Sequence, residues 1–157
     1  MKVTLLQIDK TAESYLNEGI SIYTNRLKNY TTLEIITINV PKNVRLRSTN
    51  EQKSEEAKLI LQNLKENDHL VVLDEGGIEL NSIDFSVFLS KRTQLNVKNI
   101  VFLIGGPFGF DDRIYKRANF KLALSKMTFS HQMVRLFFLE QLYRAFSILK
   151  KEKYHHI

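Results

Sequence analysis

The chain has 157 residues, 43% of them hydrophobic, enough to bury one sizeable core, and a single domain over 1–157 is predicted. It contains no cysteine, which excludes a disulfide framework, a thiolate metal site and a cysteine nucleophile, and no apolar run approaches the ~18 residues of a membrane span. The formal charge of +6 lies wholly at one end: residues 113–157 carry ten Lys/Arg against two Asp/Glu, residues 1–112 thirteen against fifteen.

Val3 to Ile8 is a short apolar run that suits a buried strand, too short in its apolar part for a signal peptide. Ala12, Tyr15, Leu16, Ile20, Tyr23 and Leu27 follow at helical spacing. Leu33 to Val40 is a β-branched strand that stops at Pro41, and PKNVRLRSTN after it has three basic residues and no periodicity, predicting a basic, mobile loop. From Glu51, the positions Ala57, Ile60, Leu61 and Leu64 define a helix face, and Leu70 to Leu73 is a strand leading into Asp74-Glu75-Gly76-Gly77. Ser82 suits the cap of a helix carrying Phe85, Phe88 and Leu89, after which Ile100 to Ile104 is the most apolar strand, ending at GGPFG. A helical piece over 111–118, a strand near Lys121 to Leu124 and a helix from about His131 to Lys150 complete the order. Strands alternating with helices predict an α/β fold, with a mostly parallel sheet flanked by helices on both faces.

Segregated positive charge predicts an anionic partner, most economically nucleic acid, because a merely soluble surface mixes both signs. Lys116, Arg117, Lys121, Lys150, Lys151 and Lys153 would make the phosphate-binding surface. The glycine loop leaves a strand where open α/β sheets bind ligands, but it is neither G-x-G-x-x-G nor a P-loop; a tight turn and a ligand site both explain it. Ser125-Lys126-Met127-Thr128-Phe129-Ser130 would lie at the same sheet edge, with Ser130 able to cap the last helix. That helix is apolar on more than one face, which fits either a homodimer contact or a central helix within a monomer. Arg135 and Arg144 interrupt it. Arginine suits planar phosphate recognition, while Glu140 offers Arg144 a structural partner at i,i+4. His131 at the helix entrance suits capping as well as chemistry. His155 and His156 stand adjacent in a tail without the clustered ligands of a metal site, so no metal is expected.

Taken together, LIGGPFGF, LSKMTFSHQMVR, LEQLYRAFSI and the ending YHH resemble the RlmH family, the SPOUT-class 23S ribosomal RNA pseudouridine N3-methyltransferases. The similarity covers nearly the full length. It departs at Asp9, where the family commonly has glycine before the lysine, and at Ser130, where proline usually precedes the histidine. The resemblance implies a SPOUT-type sheet with a C-terminal trefoil knot, a feature that connection rules argue against. It also implies a homodimer that binds S-adenosylmethionine and acts on 23S rRNA within the ribosome, in the cytoplasm. Carried over by motif, Leu73, Gly105, Leu124, Ser125, Lys126, Met127, Thr128 and Phe129 are the expected cofactor contacts. His155, Tyr154, Arg135 and His131 are the candidates for handling the imide proton or holding the tail, phosphate or base, and Arg144 is a further RNA contact. The rivals are a noncatalytic RNA- or ribosome-binding protein of the same fold, which would not bind S-adenosylmethionine, and a nucleotide-binding hydrolase, which the missing P-loop glycines disfavour.

Overall fold

The computed structural model describes residues 1–156. Strands β1 Lys2–Ile8, β2 Leu33–Ile38, β3 His69–Glu79, β4 Asn99–Ile104 and β5 Phe120–Ala123 form one sheet in the order β2-β1-β4-β3-β5, with every pairing parallel. The helices are α1 Ser14–Leu27, α2 Lys42–Arg45, α3 Thr49–Gln62, α4 Ser82–Gln94, α5 Asp112–Arg117 and α6 Met133–Leu149. Strand side chains alternate between the two faces, so each strand feeds two cores. Along β4, Ile100, Phe102 and Ile104 pack with residues of α1, α4 and α6, whereas Val101 and Leu103 pack with residues of α2, α3 and α5.

The structure differs from the sequence reading at places where a distant group decides the local geometry. β2 ends at Ile38, short of Val40, because the Val40 amide donates to the Asp9 carboxylate at 3.1 Å. Asp9 itself sits in the left-handed region, at φ 59°, which accounts for the glycine usual there in the family it resembles. Its carboxylate also pairs with Arg45. The segment after Pro41, expected as a mobile loop, contains the one-turn helix α2 and the Ser48 cap of α3. Gln52 fastens it to α3 by donating to the carbonyls of Arg45 and Arg47, at 3.3 and 2.8 Å. Asn81, not Ser82, caps α4: its side chain accepts the Asp84 amide at 2.8 Å, while Ser82 Oγ donates to Gln141.

β3 runs on past Asp74-Glu75-Gly76-Gly77 and pairs with β5 a second time, through Ile78 and Glu79, after an irregularity. Gly77 makes this possible. A Cβ there would stand 2.7 Å from the carbonyl carbon of Lys121. Replacing Gly77 with alanine is therefore expected to cost about 1–3 kcal/mol of folding stability, from backbone displacement alone. Urea denaturation of the two proteins checks this.

α6 lies between α1 and α4, and that placement explains most of its apolar girdle. Phe138, Leu139, Leu142 and Ala145 are buried in the core, and Leu136 packs on Gly19 of α1. Phe137 and Leu149 stay 42% and 39% exposed, as do Ile83 and Val87 of α4 at 40% and 42%, so only part of the girdle is left for another surface.

Candidate active site

Three chain segments meet at the carboxyl edge of the sheet: the bend of β3 at Leu73, Asp74 and Glu75, the glycine loop after β4, and the loop from β5 into α6. Between them lies a cleft of about 210 Å³, partly open to solvent. Leu73, Ile104, Leu122, Leu124 and Val134 supply apolar walls, and Gly105, Gly106, Ser125, Thr128 and His131 supply small and polar lining. Of the eight residues expected to contact the cofactor, Leu73, Gly105, Leu124, Ser125, Met127, Thr128 and Phe129 line this cleft; Lys126 does not, and is exposed. Apolar walls with a few hydroxyls and closely approaching backbone fit a nucleoside thioether or sulfonium ligand.

Each wall is held by specific contacts. A Cβ on Gly105 would meet the Phe110 ring at 2.7 Å, so the missing side chain is replaced by an aromatic ring from the same loop. Tyr115 donates to Asp74 at 2.5 Å, and its hydroxyl pKa is pushed up to about 12, first by burial and then by that carboxylate. Thr128 donates to Glu75, which links the loop after β5 to the bend of β3. Phe129 packs on Phe137 with ring centroids 5.0 Å apart, and Ser130 accepts the Met133 amide at 3.1 Å, capping α6 from outside its first turn.

The four residues expected to handle proton or phosphate do not gather in one place. His131 lines the cleft; burial, with the Arg135 and Arg45 charges, holds its imidazole below its ordinary range. Arg135 is fully buried and faces the protein, not a substrate: it donates to the carbonyls of Ile8, Asp9 and His131 and to the Thr11 hydroxyl. Tyr154 and His155 dock on the side of α6. The Tyr154 hydroxyl donates to Glu140 at 2.9 Å and lies 3.3 Å from that of Tyr23, its ring meets Tyr143 edge-on at 4.6 Å, and His155 Nδ1 is 3.4 Å from Arg144. Glu140 is seven residues into α6, roughly 10 Å along the axis from its start at the cleft, so the tail does not reach its own cleft. The pKa of the Tyr154 hydroxyl is raised, first by burial and then by Tyr23 and Glu140.

Two of the expected RNA contacts are occupied within the chain. Arg144 is bound to Glu140 at 2.7 Å, and Arg117 donates to the carbonyls of Lys65, Glu66 and Asp68, where it braces the amino edge of the sheet. Lys121 lies 5.3 Å from the Tyr115 ring centroid, and it and Lys116, Lys150, Lys151 and Lys153 are exposed. Sequence reasoning missed Glu56, whose carboxylate lies against Gly106 of the glycine loop; no spacing in the sequence joins the two. Among the described residues, no group of three or more His, Asp or Glu could hold a metal ion, and no helix is long and apolar enough to cross a membrane.

A parallel α/β sheet with a ligand-sized cleft at its carboxyl edge, built from three loops, defines a small-molecule-binding enzyme of the open-sheet class. The family described as predicted SPOUT methyltransferases matches residues 1–155, and the chain belongs to it. Its relatives include the ribosomal RNA large subunit methyltransferases H of Cytophaga hutchinsonii, 54% identical over 99% of this chain and 100% of that protein, and of Christiangramia forsetii, 49% identical over 99% of each. Among solved structures, a probable methylase family protein from Haemophilus influenzae superposes with TM-score 0.49 at 12% identity, over 99% of this chain and 70% of that one. The SpoU methyltransferase AviRb from Streptomyces viridochromogenes gives 0.46 at 13% identity over 96% of this chain, which spans 61% of that longer protein.

The depressed His131 pKa has a consequence for stability. Burial holds the folded imidazole below its ordinary range, while in the unfolded chain it titrates near pH ~6.5, so below that pH the unfolded chain binds the additional proton. Folding stability is expected to fall as pH drops through ~6.5, and a His131→Gln variant to lose this share of the fall, while His69, also held low by burial, keeps its own. Denaturant titrations of both proteins on either side of that pH measure the difference.

Proposed function

We propose that the chain transfers a methyl group from S-adenosylmethionine to N3 of a pseudouridine in large-subunit (23S) ribosomal RNA, on the assembled ribosome, as a cytoplasmic homodimer. The observation that carries this reading is the cleft: seven of the eight residues expected to hold the cofactor, from three separate segments, share one apolar space. The full-length relatives named for large-subunit rRNA methylation support the substrate class. A trefoil knot, formed where the chain threads the loops around the cleft, belongs to the same reading.

S-adenosylmethionine supplies an electrophilic sulfonium methyl. The chain's own contribution is alignment, which can supply ~7–11 kcal/mol of a bimolecular barrier, with Leu73, Leu122 and Leu124 as apolar walls beside the reacting centre. The pseudouridine imide nitrogen is largely protonated at neutral pH, so its proton must be taken up and the developing anion stabilised. His131 is the neutral base at the cleft within one chain. Tyr154 and His155 lie too far along α6 to serve their own cleft, and a second copy of the chain would bring them to it. The exposed Phe137, Leu149, Ile83 and Val87 offer an apolar surface for that copy, in a closed two-fold arrangement. Lys116, Lys121, Lys150, Lys151 and Lys153 are exposed and able to meet phosphates, and a substrate read by shape through many weak contacts suits that spread of charge.

Mass spectrometry of 23S rRNA from a strain lacking this protein should show loss of one N3-methylpseudouridine; unchanged rRNA would overturn the proposal. Deleting residues 154–157 should lower methylation by about 10²–10⁴-fold while cofactor affinity, read by calorimetry, stays near that of the full chain. Full activity in that truncation sinks the role given to the tail.

A further inference from the structure

The bend of β3 has two sides. Between Leu73 and Ile78 the strand loses its register with β5, and both of those residues stand opposite Leu122, so Asp74 to Gly77 bulge out of the ladder. Asp74 and Glu75 line the cleft, whereas Gly76, Gly77 and Ile78 line a second groove, of about 360 Å³, beside the start of β5. The two spaces therefore share one thin wall of backbone. Two residues of extended chain span at most roughly 7 Å, which bounds the distance from Asp74 in the cleft to Gly76 in the groove.

The groove carries its own chemistry. Lys121 is the charged residue of its lining, and Lys116 stands exposed next to Tyr115 on α5. The Tyr115 ring forms a wall, fixed by its hydrogen bond to Asp74 at 2.5 Å and by edge-on packing against Phe110, centroids 5.8 Å apart. Lys121 Nζ lies 5.3 Å from the centroid of that ring, so cation and aromatic face are presented together. Ile78, 58% exposed, adds an apolar contact. Asn119 adds a directed donor: its Oδ1 accepts from the Leu70 amide at 2.8 Å and from Arg117 at 3.3 Å, which fixes the carboxamide and leaves its NH2 group to a ligand. Ammonium, aromatic face and amide donor in one small space are the complement of a nucleotide, with its phosphate, base ring and base edge. A carboxylate side chain of a protein partner would satisfy Lys121 alone.

We propose that this groove receives an unstacked nucleotide of the RNA, next in the strand to the one that is methylated, with Lys121 and Lys116 at its phosphate, its base against Tyr115 and Ile78, and Asn119 donating to it. This rests on the reading of ribosomal RNA as the substrate. The bulge of β3 is then a divider: one nucleotide is delivered to the cleft on its near side while the next is held on its far side. Gly76 and Gly77 suit that role, because a divider without side chains keeps the two spaces close.

The test uses ribosomes from a strain lacking this protein. Ile78→Asp places a carboxylate in the groove at an exposed position, and should raise KM for ribosomes about tenfold to hundredfold, the worth of one stacked base. Its affinity for S-adenosylhomocysteine, read by calorimetry, should stay at the unmodified value, which also shows that the variant is folded. Leu95→Asp makes the same change of charge at the end of α4, on the opposite edge of the sheet and 76% exposed, and should leave KM near the unmodified value. With p-benzoylphenylalanine placed at Ile78, irradiation of the complex should cross-link the chain to the nucleotide beside the methylated one. The proposal is overturned if Ile78→Asp leaves KM unchanged or weakens S-adenosylhomocysteine to the same extent. It is equally overturned if Leu95→Asp raises KM as much, which would reduce the effect to net charge, or if the cross-link falls on distant RNA, on a ribosomal protein or nowhere. Failure of the unmodified protein to methylate these ribosomes overturns the substrate reading itself, a result distinct from the others.

Discussion

The guanidinium of Arg135 ties the first turn of α6 to the end of β1, and the cleft depends on that tie. Its four hydrogen bonds reach Ile8, Asp9, Thr11 and His131, so two stretches far apart in the sequence, the end of β1 and the entrance of α6, share one donor group. Burying the charge is costly, and burial lowers its pKa to about 10, yet it stays protonated at neutral pH because carbonyl oxygens replace the lost water. With α6 held there, the loop from Leu124 to His131 has to pass along the carboxyl edge of β3 and β4. The far wall of the cleft is thereby placed opposite the glycine loop.

The remaining contacts around the cleft follow the same logic, in which backbone is brought close by small residues and locked by polar side chains. Gly77 lets β3 lie against β5 beyond its irregularity, Gly105 lets the Phe110 ring close under the loop, and Gly106 admits the Glu56 carboxylate. Asp9 does with a left-handed aspartate what a glycine would do with less strain, and its carboxylate holds Val40 and Arg45 in return. The tail is fastened by aromatic and polar contacts of Tyr154 to α1 and α6.

Much of the architecture was legible because it rests on local periodicity. Four of the strands and the five longer helices lie within a few residues of where apolar alternation and helical spacing put them, while β3 runs six residues past Leu73. The cofactor loops were legible through motif resemblance, and seven of those eight residues do converge. Polar residues were harder to read. Arg135 looks like a phosphate ligand in the sequence, yet its acceptor on Ile8 is 127 positions away, and only folding shows that a carbonyl has taken the place of a substrate. Arg117 and Arg144 likewise have partners within the chain, Arg144 the Glu140 that its i,i+4 spacing offered, since residue type describes what a guanidinium can bind and not what has already bound it.

The sequence by itself determined the layered α/β class, the order of its elements, the absence of thiol chemistry, and the concentration of positive charge in the last segment. These follow from composition and from patterns with periods of two and 3.6, which each stretch of chain carries within itself. Tertiary structure alone decided which arginines are held within the chain, that the tail docks away from its own cleft, and that the Glu56 carboxylate stands against Gly106 of the glycine loop. Each of those facts depends on distances between residues far apart in the chain. Burial and the pairing of charge are properties of the folded surroundings, and no local pattern encodes them.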